Sequence, residues 1–501
     1  MTPSEQLPIL LVITPLLFTL AVSIAGWFNR KICYPITIIT LSASLYISVA
    51  LLLQVVKNGE IHYHLGGWQP PFGIEYVVDH LNALVLVVIS FVALVSAVYS
   101  KESVKQELPD KIPQFYTLYL MLVTGLLGMT VTGDAFNLYV LIEISAITTY
   151  ALIAIGKDRA LISSFNYVIM GTMGACFYLL GVGHLYIMTG SLNMMDLYKI
   201  LPPLYSSHAI FVSFILILVG LWAKMAFFPL HEWLPNAYTY APSAASCLIA
   251  PLMTKVSIYV MIRIMFSIFS PAFVFEAFTA HNIIIWMAAA AIAGGSILAL
   301  AQTDFKKILT YMIVAEVGYM VGGVWLANRL GITGAVLHIL NDALMTLCLF
   351  LAAGIIVYKT KGHKLENLRG LYRKMPVTMG AFTVGALSMI GVPPTAGFFS
   401  KWYLISGAID AGHWGFMAAL IFSSLVNAVL FFRMIEVGYF EPFRDNQEEH
   451  DHNTALSPKI DEAPLSMLAP LVIVSISLIV VGIYTGDIVD SIIRFTVPAG
   501  I

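Results

Sequence analysis

Residues 219–243 read VGLWAKMAFFPLHEWLPNAYTYAPS, and residues 248–262 read LIAPLMTKVSIYVMI. Both are apolar stretches of the kind that spans a membrane, and each carries one lysine, Lys224 and Lys255. The first is also broken, because Pro229 has no amide hydrogen and interrupts a helix just past Lys224. Charge and irregular backbone at membrane depth are tolerated where they are buried in protein or line a wet cavity. Together the two stretches predict a polytopic membrane protein with ionisable groups held inside it.

The remainder of the chain extends that pattern. Of its 501 residues 59% are hydrophobic and 11% charged, whereas a soluble domain carries roughly 25% charged residues. Such a composition cannot cover a water-soluble surface. A bilayer core of about 30 Å needs about 20 mostly apolar residues per helix. Suitable runs fall near 7–28, 33–56, 78–99, 113–131, 134–155, 161–189, 208–228, 243–269, 281–301, 308–327, 331–358, 376–411, 414–440 and 464–486, those beginning at 208 and 376 being interrupted. The expected fold is therefore all-α and polytopic, with about 14 transmembrane helices. The first run, Leu7 to Trp27, lacks a basic leader and reads as a retained helix rather than a cleaved signal.

The basic residues give this reading its orientation, because cytoplasmic loops hold most Lys and Arg. Alternate loops carry eighteen of the 26, namely Arg30, Lys31, Lys101, Lys105, Lys111, Lys157, Arg159, Lys306, Lys307, Lys359, Lys361, Lys364, Arg369, Arg373, Lys374, Arg433, Arg444 and Lys459. The other loops and the C-terminus hold Lys57, Lys199, Arg329 and Arg494. Both termini then lie on the non-cytoplasmic side. The net charge of −2 says little about partners, since placement outweighs sum in a membrane protein, and nothing supports nucleic-acid binding. Cys33, Cys176, Cys247 and Cys348 stand singly in apolar runs and read as small buried hydrophobes. The polar loop from Glu441 to Pro464 contains Glu448, Glu449, His450, Asp451 and His452. That run could bind a divalent metal, but a solvated loop explains it better.

Function is carried by the charges left inside the spans. Glu143 lies in GDAFNLYVLIE, Lys224 just before Pro229, Lys255 midway along its run, and Lys401 after GVPPTAGFFS with its breakers Pro393, Pro394 and Gly397. The alternative for a lysine is snorkelling, in which the long stem carries the ammonium to the interface. Lys255 is too central for that, and Lys224 and Lys401 sit at helix breaks, where transporters place ion sites. His338 and Asp342 are four apart and share one helix face; they read either as relay groups or as a polar pair that supports packing. His231 and Glu232 follow the first break and form either a cytoplasmic channel mouth or a cap for the turn. Glu316 is a weaker candidate, and Arg263, near the end of its run, reads as a snorkelling residue. Acids and bases in a low-dielectric interior shift one another's proton affinity, so such a row can pass protons along.

Several stretches taken together resemble the antiporter-like subunits shared by Mrp-type cation/proton antiporters, membrane-bound hydrogenases and respiratory Complex I. The resemblance covers about residues 60–440. YHLGGWQPPFGIEYVVDHLNAL (63–84) looks like the entry to the third helix in the D-type branch of the Mrp subunits, and GDAFNLYVLIE (133–143) like the family's fifth helix. KMAFFPLHEWLPNAYTYAPS (224–243), LMTKVSIY (252–259) and GVPPTAGFFSKW (391–402) look like its broken seventh, its eighth and its broken twelfth. By resemblance Glu143 and Lys224 form a modulated ion pair, Lys255 is the central lysine, and Lys401 belongs to the far half-channel. The resemblance also implies two inverted five-helix repeats, each with one broken helix. The boundaries it suggests are an N-terminal segment 1–110, repeats at 111–270 and 280–440, a cytoplasmic loop 441–463 and a last helix with the C-terminus at 464–501. One departure stands out. Relatives carry H-x-x-x-H-x-x-x-K on the eleventh helix, and this chain has His338, Asp342 and Thr346.

The expectation is an ion-translocating member of a multisubunit complex in a bacterial or archaeal cytoplasmic membrane. The D-type subunit of an Mrp antiporter comes first, moving protons against Na⁺ or K⁺ with other membrane subunits as partners. A redox-driven complex, or a scaffold that has lost conduction, is the alternative. No motif for a flavin, haem or iron–sulfur cluster is present, so no cofactor is expected.

Overall fold

A computed structural model describes residues 3–278, 280–441 and 460–498. The run Glu448–His452 lies outside the described residues, as do Arg444 and Lys459. The chain opens with α1 (Leu7–Phe28) and α2 (Arg30–Asn58), then a small antiparallel hairpin, β1 (Ile61–His64) with β2 (Glu75–Val78), in which Ile61 faces Val78. There follow α3 (His80–Glu107), α4 (Ile112–Val131), α5 (Ala135–Ala154), α6 (Ala160–Thr189) and a short α7 (Met194–Ile200). The first broken helix is α8 (His208–Met225) with α9 (Trp233–Tyr240), followed by α10 (Ser243–Ser267). Next come α11 (His281–Leu300), α12 (Phe305–Trp325), α13 (Arg329–Thr360) and a single turn, α14 (Leu371–Lys374). The second broken helix is α15 (Pro376–Ile390) with α16 (Ala396–Asp410), and α17 (Trp414–Phe440), α18 (Leu465–Ile483) and α19 (Thr485–Ser491) complete the chain.

Thirteen described helices are long and apolar enough to cross a membrane. The α15–α16 pair, interrupted midway, supplies one further crossing, in agreement with the expected count of about 14. Helix starts are set by side chains that accept the otherwise unpaired first amides. Asp79 and Asn82 cap α3 reciprocally, and Asp134, Asp304 and Asn328 cap α5, α12 and α13. In the middle of the bundle stand α10 and α13, whose apolar windows are entirely buried by protein, while α1, α2, α6 and α18 leave most of theirs unburied. The two central helices thus carry their polar residues where lipid cannot reach.

Three expectations change. Lys306, read as a loop charge, is buried in the first turn of α12 and donates to the Ala241 carbonyl at 3.0 Å. Cys176 is exposed on α6, whereas Cys33, Cys247 and Cys348 are buried. The hairpin breaks the all-helical pattern, because residues 61–64 and 75–77 fall between the apolar runs and, with Val78 at the edge of the third, pair their backbone with each other.

Candidate functional site

Asp134 starts α5 by accepting the amide of Asn137 at 2.6 Å, and Glu143 lies more than two turns further on. Opposite it, α8 ends at Ala226 in a left-handed conformation, so Lys224 is on the last turn. A carbonyl freed there finds a new donor: Ala223 accepts the Trp233 indole at 3.1 Å, while Trp222 accepts the Phe227 amide at 3.0 Å beside its own helical partner, the Ala226 amide. That satisfaction is what lets a helix stop inside a membrane. Close packing of α6 on α8 fixes the lysine, since a Cβ on Gly220 would stand 2.6 Å from the Gly174 carbonyl oxygen. Lys224 Nζ lies 2.7 Å from Glu143 Oε1, with the lysine buried and the glutamate side chain 21% exposed.

The second pair joins the two central helices. Lys255 Nζ lies 2.7 Å from Asp342 Oδ2, and both side chains are buried. Thr346, one turn beyond Asp342, donates its hydroxyl to Asp342 Oδ1 at 2.8 Å and stands 3.5 Å from Lys255 Nζ. Thr346, where the resemblance implies a lysine, therefore anchors the acid paired with Lys255. Pro251 deprives the Cys247 carbonyl of its helical partner, and Ser96 supplies the missing hydrogen bond at 2.9 Å.

Beyond it, His338 does not touch Lys255. Its Nε2 lies 2.5 Å from Glu316 Oε2, and its Nδ1 lies 2.8 Å from Ser400 Oγ. Glu316 and His338 are fully buried, so the weak sequence candidate is a principal member of the site. Lys401 follows Ser400 directly. It donates to the Met389 carbonyl at 2.6 Å, a carbonyl freed by the α15–α16 break, and sits 5.1 Å above the Tyr319 ring. Asn427 reaches the same carbonyl at 3.3 Å. Gly391 ends α15 with φ +95°, and Gly397 lets α16 pass so near α15 that an added Cβ would meet the Ser388 carbonyl oxygen at 1.9 Å.

The first break opens to a surface cavity of about 460 Å³ lined by Pro229, Glu232, Asn166 and Asn236. His231 is absent from that lining and stacks on Phe228 instead. A smaller cavity lies between Lys224, Ser145 and Ser257, with room for about one water. Arg263 does not snorkel, because its guanidinium grips Asp79 with two hydrogen bonds of 2.6 and 2.9 Å. Its partner is 184 positions away, which no local signal discloses. Glu316 and Ser400 were missed or undervalued for the same reason, their partners being on other helices. Among the described residues no group of three His, Cys, Asp or Glu side chains is placed to hold a metal ion.

Comparisons with known proteins agree with this fold. Residues 132–427 match the family described as NADH:quinone oxidoreductase/Mrp antiporter, TM. The chain is 42% identical over 505 residues to NADH-quinone oxidoreductase subunit N of Desulforudis audaxviator, covering 99% of each chain. It is 35% identical over 367 residues to the D-type Na⁺/H⁺ antiporter subunit of Alkalihalophilus pseudofirmus, 73% of each chain. Among solved structures, a chain of the archaeal membrane-bound sulfane sulfur reductase superposes with TM-score 0.89 at 29% identity, covering 98% of this chain and 97% of that one. A chain of the Mrp complex from Dietzia sp. reaches TM-score 0.89 at 23% identity, over 99% and 97%. A multi-spanning bundle with these matches along its whole length is a member of the NADH:quinone oxidoreductase/Mrp antiporter membrane family.

Proposed function

We propose that this chain is the proton-translocating member of a multisubunit complex in a bacterial or archaeal cytoplasmic membrane. Protons pass by way of Glu143–Lys224, Lys255–Asp342, Glu316–His338 and Lys401, with Glu232 at the cytoplasmic mouth. The observation that carries the proposal is the succession of acid–base contacts of 2.7, 2.7 and 2.5 Å within the helical bundle, the last two fully buried. Charged groups inside a membrane are costly unless paired or functional, and each pair here sits beside a helix break or on a central helix. A proton arriving at one pair changes its charge and thereby biases the next. The inverted relation of repeats 111–270 and 280–440 belongs to this reading, since it gives each half one broken helix and one lysine at the break.

The D-type role in an Mrp antiporter, exchanging protons for Na⁺ or K⁺, is the leading assignment. A redox-driven complex is the second, favoured by the full-length match to a relative named subunit N. A scaffold without conduction has one observation on its side, the neutralised Lys255. Lys255→Ala in the intact complex tests them. A translocating chain loses transport while the complex still assembles, and unchanged transport leaves only the scaffold. An imposed Na⁺ gradient that drives proton movement without an electron donor identifies the antiporter.

A further inference from the structure

Lys255, Tyr259 and Arg263 follow one another at intervals of four residues, so α10 carries them on one face, ascending from mid-membrane to the non-cytoplasmic end. Eight residues of helix put Arg263 about 12 Å above Lys255. At that level a cavity of about 370 Å³ enters the protein, lined among others by Glu60, Glu75, Asp79, Thr132, Lys199 and Arg263. Glu75 is held by His62 at 2.7 Å and His64 at 3.4 Å. Asp79 and Arg263 thus stand in the wall of this vestibule, on the α10 face that carries Lys255 two turns further in.

The contacts of this pair make it a barrier to protons. Relay along hydrogen bonds requires every member to take a proton on one side and release one on the other. A guanidinium has donors only and does not deprotonate in proteins. Here both terminal nitrogens donate to Asp79, one of them also to Ser267 at 3.2 Å, and Nε donates to the Tyr259 hydroxyl at 3.1 Å. Tyr259 in turn donates to the Thr130 carbonyl at 2.7 Å, which also accepts the Asn82 side-chain amide at 3.2 Å, so the hydrogen bonds turn back to the Asp79 cap rather than running on toward Lys255. Asp79 is fixed independently, since its Oδ1 accepts the Asn82 amide at 3.0 Å. A two-point guanidinium–carboxylate contact is among the strongest and most directional available.

We infer that the Asp79–Arg263 pair is an outer seal that keeps protons on Lys255 from escaping into the non-cytoplasmic vestibule through the first half of the protein. The inference rests on the translocation reading above. With the seal closed, the exit lies further along the row, toward Lys401.

The test uses the purified complex in liposomes with a pH-sensitive dye inside, an imposed pH gradient, clamped membrane potential and neither exchanged cation nor electron donor. Arg263→Gln and Asp79→Asn are expected to raise the proton leak roughly tenfold, the scale of losing one hydrogen bond from a barrier. The leak of Arg263→Gln should vanish when Lys255→Ala is added. Asp79→Asn is nearly isosteric and keeps the cap on Asn82, so it carries the test should Arg263→Gln fail to assemble. Assembled variants no leakier than the parent overturn the seal. A leak that survives Lys255→Ala overturns the route. Lys255→Ala alone reads the parent proposal, so tight Arg263 and Asp79 variants together with a transport-dead Lys255→Ala would sink the seal and spare the proposed function.

Discussion

Lys255 and Asp342 illustrate how one residue decides between conduction and stability. Two opposite charges taken out of water attract strongly, yet desolvation offsets much of that gain, and removing one partner strands the other. Asp342→Ala should therefore destabilise the protein by about 3–5 kcal/mol, the cost of an uncompensated buried charge. The combined change Lys255→Met with Asp342→Leu should recover most of that stability while transport stays lost. Thermal unfolding of the purified complex beside proton uptake measures both, and a double variant that transports normally would refute the relay through Lys255. The individual members of the row were legible in the sequence because a charge in an apolar run stands out locally. Their pairing was not. Glu316 and His338 are 22 positions apart on consecutive helices, and Ser400 and Thr346 are neutral, giving no signal until their neighbours are known. The departure at Thr346 was visible, but its consequence, a hydroxyl that anchors Asp342, needed the packing of α10 on α13.

Helices set where these residues stand, and two of them are open to direct test. Gly220 of α8 meets backbone of α6, with a Cβ there 2.6 Å from the Gly174 carbonyl oxygen and 2.7 Å from the Tyr178 amide nitrogen. Backbone cannot turn aside, so Gly220→Ala should part the helices, cost about 1–3 kcal/mol and lower transport by drawing Lys224 from Glu143. Gly183→Ala, on the open side of α6 with no atom within 4 Å of its Cβ, should leave both unchanged; equal losses from the two variants would contradict this account. At the start of α12, Asp304 accepts the amides of Lys306 and Lys307 and also holds His363 Nδ1 at 2.5 Å. Its hydrogen bond raises the imidazole pKa above the ordinary value. A raised folded-state value means the tie is complete below the ordinary pKa of about 6.5 and fades as pH climbs through the raised one. Amide exchange at Phe305 and Leu365, which bond to His363 and Thr303 across this junction, should quicken with rising pH beyond the intrinsic rate, and His363→Gln should remove the dependence. Parent and variant with the same pH profile would disprove the tie. The spans and both breaks could be read from apolar length and proline. The hairpin and the burial of Lys306 could not, because each depends on a partner strand or carbonyl far along the chain.

At the scale of the whole molecule, one flank is incompletely closed. Glu143 is the least buried member of the paired row, with 21% of its side chain exposed, and it opens through a surface where Phe136, Val140 and Ile147 of α5 and Met173 and Leu180 of α6 are also exposed. Apolar side chains can face lipid, but a carboxylate at mid-span cannot without a large penalty. In the relatives solved as multisubunit complexes such chains sit beside other membrane proteins, so a neighbour covering α5 and α6 would remove that cost. Exposed Cys176 on α6, the helix that also exposes Met173 and Leu180, gives this surface its own reporter, and the other three cysteines are buried. A membrane-permeant maleimide should modify Cys176 rapidly in the separated chain and several-fold more slowly in the assembled complex, with Cys176→Ser abolishing the signal in both. Protection would place the Glu143 flank against a neighbour, so that the row of charges continues toward another protein of the complex. Equal modification rates would show this face bathed in lipid, and Glu143 would then have to be neutralised by Lys224 alone.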